Sequence, residues 1–221
     1  MTEGNLQQLT KNYTYDVAQV SPNIHKAILD NFYKHIPKPI VIDKHRGWTK
    51  NIATYQAISH EKAKVIATYR PIAENIASFI KLCNKDPNNA VDNDLRQVGK
   101  SITNENRARY IWEHWTLEIY QSLKYGLDNH RENIHIVHYN DLVSDPQQEL
   151  NKIYDFLEIK RFDHQLTNIV NTCAEQKDEI WGFKGLHDVR PTIERQSLDP
   201  AEILPPEMLR MFKVYDDLLK L

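Results

Sequence analysis

The stretch that decides the fold is Lys64-Val65-Ile66-Ala67-Thr68-Tyr69-Arg70-Pro71-Ile72-Ala73-Glu74-Asn75-Ile76-Ala77-Ser78-Phe79. Its first six residues carry an apolar, β-branched run, the signature of a short buried strand. Arg70-Pro71 closes that run and opens a helix whose buried stripe is expected at Ile72, Ile76, Phe79 and Ile80. A strand that hands directly over to a helix leaves free N–H groups and a positive dipole end at the junction. Arg70 adds a planar fork that matches phosphate oxygens. Ser78 lies eight residues on and faces the same ligand if that ligand runs along the helix side. The plainer reading is also open, with Arg70 in an internal ion pair and Ser78 as a small packing residue.

Outward from this unit, strand and helix signals alternate. Ser21-Pro22 is an N-cap followed by proline at the first helical position, with an apolar stripe through Ile24, Ile28 and Phe32. Residues 40–43 read as a short buried strand, and Thr49 caps a helix carrying Ile52, Tyr55 and Ile58. The polar stretch 84–100 reads as a surface loop or lid. A long helix is expected over about 105–127, a third strand over 134–139, and a helix start at Asp145-Pro146-Gln147-Gln148. Residues 162–172 are a candidate short helix, 181–191 a loop, and a last helix follows Pro205-Pro206. Residues 1–20 are expected to be irregular and residues 1–221 to form a single domain. The alternation argues for an α/β fold, a parallel sheet flanked by helices in three layers.

The bulk properties narrow the function. Hydrophobic residues make up 41%, charged residues 26%, and the net charge is -2, so nothing points to nucleic acid as partner. No apolar run is long enough for a transmembrane helix, and the N-terminus has no signal pattern. With only Cys83 and Cys173, neither a disulfide framework nor a cysteine zinc site is expected, and the expected location is cytoplasmic. His135 and His138 are three apart on a strand, on opposite faces, so no shared metal is expected. Trp112, Trp115, Tyr120 and Tyr125 read as helix packing. The six glycines form neither G-x-x-x-x-G-K-[ST] nor G-x-G-x-x-G.

The stretch 64–79 resembles the 3'-phosphate-binding motif of sulfotransferases: an apolar strand, an arginine, and a serine eight residues after it. Proline usually stands two residues after the arginine, whereas Pro71 follows directly. His138-Tyr139-Asn140-Asp141-Leu142, with Asp145-Pro146 after it, resembles the family's Tyr-Glu-Asp-Leu segment and the helix start that follows. Phe183-Lys184-Gly185-Leu186 resembles the Lys-Gly loop that closes over the nucleotide, with His187 and Arg190 as further anion candidates. Asp43-Lys44-His45-Arg46 stands where many members carry Lys-Thr-His at a strand end, here without the intervening residue.

The resemblance implies a P-loop-type fold and transfer of a sulfuryl group from 3'-phosphoadenylyl sulfate to a hydroxyl acceptor, without metal. Arg70, Ser78, Lys184, Gly185 and Arg46 would bind the nucleotide. His45 would take the acceptor's proton, with Lys44 or Arg46 on the sulfate oxygens and Asp43 as an alternative base or as the group orienting His45. The family's Gly- and Ser/Thr-rich 5'-phosphosulfate loop, and the central strand before it, have no counterpart ahead of His45. The expectation is a C-terminal part of a longer enzyme, a short form that pairs with a partner, or a degenerate member. The alternative function is a non-catalytic nucleotide-binding or assembly module on the same fold.

Overall fold

A computed structural model describes residues 17–170, 178, 182–183, 185–195 and 198–221. Helix α1 spans Val17–Phe32 and runs through Ser21-Pro22 rather than starting there. A short helical turn, Trp48–Lys50, leads into α2, Ile52–Ser59. Strand β1 (Val65–Tyr69) hands over to α3 (Ile72–Cys83), as the decisive stretch predicts. Then come α4 (Ala90–Gln97), α5 (Asn104–Ile111), a π turn at Trp112–Thr116 and α6 (Leu117–Asn129). Strand β2 (Ile134–His138) is followed by α7 (Tyr139–Ser144), α8 (Pro146–Leu157) and α9 (Pro206–Leu219).

β1 and β2 pair in parallel, Val65 beside Ile134 through to Tyr69 beside His138. Side chains alternate across the pleat. Val65, Ala67 and Tyr69 therefore share one face with Ile134, Ile136 and His138, and that face joins the main core. It packs on α6, where a Cβ on Gly126 would lie 2.8 Å from Ile134 Cδ1 and 2.7 Å from the Thr49 carbonyl. It also packs on α9, which receives the Tyr69 hydroxyl. The opposite face is covered by α8, whose Phe156 stacks on His135 at 5.4 Å. The result is helix, sheet, helix: the α/β architecture with a parallel sheet.

Further sequence expectations are corrected. Residues 40–43 form no strand. Ile40, Val41 and Ile42 are 49%, 41% and 74% exposed, and the described sheet contains β1 and β2 alone. An apolar run becomes a strand only where another strand takes its backbone bonds, and Pro37 and Pro39 bring no N–H to such a ladder. The stretch 84–100 is not a loop throughout, because α4 forms within it. Asn89 caps α4 by accepting from the Asp92 amide at 2.9 Å, and Val91 and Leu95 are buried. Its high Asn and Asp content hides an apolar stripe only four residues long. Residues 162–170 are not helical, and Thr167 instead bridges Thr192 in antiparallel fashion. The segments 1–16 and 171–177 lie outside the described residues.

The long helix expected over 105–127 is present but interrupted by its π turn. The turn sets two neighbouring tryptophans to different tasks. Trp112 packs on Phe212 and Tyr215 of α9, with centroids at 5.5 and 4.7 Å. Trp115 packs on Phe79 and Phe183, at 5.8 and 5.5 Å. Trp112, Trp115 and Tyr120 are packing residues, as read from sequence, whereas Tyr125 is 48% exposed.

Candidate functional site

In open parallel sheets ligands bind beyond the carboxyl ends of the strands. Here those ends bring Tyr69-Arg70-Pro71 against His138-Tyr139-Asn140-Asp141. Between them lies a cleft of about 210 Å³, lined by Tyr69, Pro71, His138, Tyr139, Asn140 and Asp141. The Arg70 guanidinium lies over the Tyr139 ring, 4.4 Å from its centroid, a cation–π contact. Its Nε donates to Glu74 Oε2 at 3.2 Å. That bond leaves both Nη groups without a hydrogen-bond partner among the described residues. The Asn140 Oδ1 is a buried acceptor, also without a partner there.

Glu74 and Ser78 are one turn apart on α3, about 6 Å along its axis. They lie off the buried stripe of Ile72, Ile76 and Ile80. Arg70 is bonded to Glu74, one turn before Ser78 on that helix. The loop around Gly185 comes to the neighbouring face. Phe183 is buried and meets Phe79 at 6.3 Å, one residue from Ser78. Gly185 has φ +75, and a Cβ there would meet Asp188 Oδ2 at 2.7 Å, so this turn needs glycine. Lys184 lies outside the described residues. His187 is committed to Asp178, whose carboxylate accepts from the His187 backbone at 2.9 Å and from its ring.

The helix start is less open than its sequence suggests. Pro71 cannot cap α3 with a side chain. Asp216 of α9 does it instead, accepting from the Ile72 amide at 3.2 Å and from the Tyr69 hydroxyl at 2.8 Å. Burial pushes the Asp216 carboxyl up, while its two donors favour the charged form. The C-terminal helix thus fixes the turn that presents Arg70. Asp216→Ala is expected to lose about 2–3 kcal/mol of stability in urea unfolding, since hydrogen bonds to a charged group contribute about 1.5–3 kcal/mol. Asp216→Asn should lose less. An alanine variant as stable as the parent would mean that the cap is incidental.

The other sequence-predicted cluster lies elsewhere. Asp43, Lys44, His45 and Arg46 run into the Trp48–Lys50 turn, which packs on α6 through a Thr49–Ser122 hydroxyl bond of 2.8 Å. His45 lines a separate cleft of about 310 Å³, shared with Ile28, Trp48 and Tyr55. Its Nδ1 accepts from the Gly47 amide at 3.0 Å, so the neutral ring carries its proton on Nε2. Asp43 accepts from the Tyr33 hydroxyl and from Trp48 Nε1. The Tyr33 bond foremost lowers its pKa, which makes Asp43 a poorer base than an ordinary carboxylate. Lys44 and Arg46 are exposed.

A family model, the sulfotransferase domain, matches residues 13–179. The chain belongs to the sulfotransferase family. The match spans the Arg70–Ser78 unit, the Tyr139-Asn140-Asp141-Leu142 segment and the Asp43–Arg46 cluster. Among solved structures, a sulfotransferase domain from the curacin biosynthetic pathway is similar at a TM-score of 0.43 and 21% identity, over 73% of this chain and 56% of that one. The chain therefore spans little more than half the length of that structure. No curated protein matches.

As in a family of sulfuryl transfer, the chemistry asks for anion-binding groups rather than a reactive side chain. Burial pushes the Cys83 thiol up to about 12, which removes it as a nucleophile. Among the described residues no cluster of His, Cys, Asp or Glu suits a metal ion, and no helix is long and apolar enough to cross a membrane. Sequence reading missed three residues of this candidate site. Glu74 was detectable as the residue four after Arg70, and Tyr139 as the aromatic that follows β2. Asp216 had no signal, because it arrives from a helix 144 residues away.

Proposed function

We propose that this chain binds the adenosine 3',5'-bisphosphate moiety of 3'-phosphoadenylyl sulfate, with Arg70 and Ser78 on the 3'-phosphate, and that it serves sulfuryl transfer to a hydroxyl acceptor. The observation that carries the reading is Arg70 itself. It is half-buried at the end of β1, seated on Tyr139, with its Nη groups without a hydrogen-bond partner among the described residues, and Ser78 follows one turn after its partner Glu74 on α3. Lys184, Gly185 and Arg46 are the further nucleotide contacts in this reading. The Gly185 turn is supported by the seating of Phe183 on Phe79.

In the transfer step the acceptor oxygen attacks sulfur as the bond from sulfur to the 5'-phosphate oxygen breaks. The products are a sulfate ester and adenosine 3',5'-bisphosphate. His45 takes the hydroxyl proton on Nε2. For that the ring must carry its own proton on Nδ1 and release the Gly47 amide. The cost is one hydrogen bond, about 1 kcal/mol. In this reading Lys44 serves the sulfate oxygens, where negative charge is held, and Asp43 orients His45 or is the alternative base. A second reading, a nucleotide-binding module without transfer, is favoured by the separation of the His45 cleft from the cleft at the strand ends.

Calorimetry with adenosine 3',5'-bisphosphate tests the shared premise of both readings. Arg70→Ala is expected to weaken binding by about 2–3 kcal/mol, the range of a charge-assisted contact, and Ser78→Ala by about 1 kcal/mol. Equal binding by the Arg70 variant, or none by the folded parent, would count against the site.

A further inference from the structure

Ile40, Val41 and Ile42 are the one place among the described residues where three exposed large aliphatic side chains follow one another. Single exposed aliphatic residues are ordinary on a protein surface, whereas a contiguous set marks a contact. The backbone there is equally unengaged. From 37 to 44 no N–H or C=O bonds to the backbone of another described residue, and 40–45 run without a turn or bend. In an extended run alternate side chains share a side. Asp43 is turned onto Tyr33 and Trp48. Val41 goes with it, and Ile40 and Ile42 take the free side, where Ile42 is 74% exposed.

We propose that residues 40–43 form an edge that pairs with an extended apolar strand of another polypeptide, one carrying carboxylates at the end that meets Lys38. A straight aliphatic segment with free N–H and C=O groups is the template such a strand needs. Charge fixes the partner's sign. Lys34 and Lys38 are exposed beside the run, and residues 31–42 contain no Asp or Glu. A second copy of this chain fits poorly. Antiparallel self-pairing would set Lys38 near Lys44, parallel self-pairing would set Lys38 beside Lys38, and like charges across a strand pair repel. A lipid surface would accept the cations and the aliphatic side chains. It offers no partner to the backbone, whose polar groups must be bonded before they enter hydrocarbon. An acidic, apolar strand satisfies the side chains, the cations and the backbone together. Pro37 and Pro39 bring no N–H, so the pairing starts at Ile40. Successive amides of a strand point to opposite edges, so one partner takes either Ile40 and Ile42 or Val41 and Asp43.

The test uses the full chain and two synthetic peptides, three glutamates followed by Val-Thr-Val-Ile and a twin with three lysines in their place. Either can pair in both directions. Fluorescence anisotropy reads affinity, and amide hydrogen exchange by NMR reads the backbone. The glutamate peptide is expected to bind at least tenfold more tightly than its twin and to slow exchange at one alternate pair of the four amides from 40 to 43. Lys38→Glu should reverse the preference between the peptides. Ile42→Asp should weaken the glutamate peptide at least tenfold. Both side chains are exposed, so both variants should fold, which circular dichroism checks. Absence of saturable binding, equal binding of the two peptides, or exchange unchanged from 40 to 43 would each overturn the strand edge. Sedimentation with phosphatidylserine vesicles in place of peptide binding would assign the run to a lipid surface. A dimer in ultracentrifugation, with 40–43 protected before any peptide is added, would assign it to a second copy. Either result would overturn the acidic partner.

Discussion

Arg107→Ala is expected to lower the unfolding free energy by about 3–5 kcal/mol, the cost of breaking a buried ion pair from one side. Arg107 of α5 is 8% exposed and Asp92 of α4 is 1% exposed. The guanidinium meets the carboxylate through two bonds, Nε to Oδ1 at 2.7 Å and Nη2 to Oδ2 at 2.6 Å. Its Nη1 donates to Asn84 Oδ1 at 2.6 Å, so one side chain ties α4, α5 and the end of α3 together. Truncating Arg107 strands a carboxylate in the core, whereas replacing both partners removes the charge as well. Asp92→Leu with Arg107→Met should therefore recover most of the loss, as apolar replacements of buried pairs do. Urea unfolding of the two variants is the measurement. A single variant within about 1 kcal/mol of the parent would show that the site relaxes or takes up water.

The second large effect concerns turnover. The 221-residue chain, given 3'-phosphoadenylyl sulfate and an acceptor, is expected to transfer sulfuryl groups about five orders of magnitude more slowly than a fusion carrying a strand, a Gly-rich loop and a helix ahead of it. The reason lies in where charge grows. As the bond from sulfur to the 5'-phosphate breaks, negative charge builds on the leaving phosphate, and preorganised N–H donors stabilise it by about 3–4 kcal/mol each. Arg70 and Ser78 stand at the other phosphate. No G-x-x-x-x-G-K-[ST] stretch occurs in the sequence. The loss of two donors of that strength would account for about five orders in rate. In the fusion, His45→Ala should then cost about 10²–10⁴-fold, the usual contribution of a general base. Fast transfer by the 221-residue chain would place the 5'-phosphosulfate cradle in residues other than a Gly-rich loop. Full activity of the His45 variant would move the base to Asp43.

What the sequence by itself determined is local. The strand over 65–69, its handover to α3 and the cap at Asp145 follow from patterns within ten or so residues, where side-chain periodicity and capping chemistry act directly. The same holds for the order of Arg70, before α3, and Ser78 within it. The resemblance to sulfotransferases was legible for the same reason, and the family match over 13–179 agrees with it.

Tertiary structure alone decided the rest. Whether Ile40-Val41-Ile42 becomes a strand depends on a neighbouring edge to take its N–H and C=O groups, and hydrophobicity does not report that. Within 84–100, α4 is held by two buried aliphatic side chains and by an ion pair to Arg107, a partner 15 residues away. That dependence on a distant cation made a polar segment look like a loop. The candidate site follows the same division. Arg70 was readable, but its seat on Tyr139 and the cap that Asp216 lends to α3 come from β2 and α9, far along the chain. Charge and hydrogen bonding act through space, so a group that completes a site from another element leaves no trace beside the residue it serves.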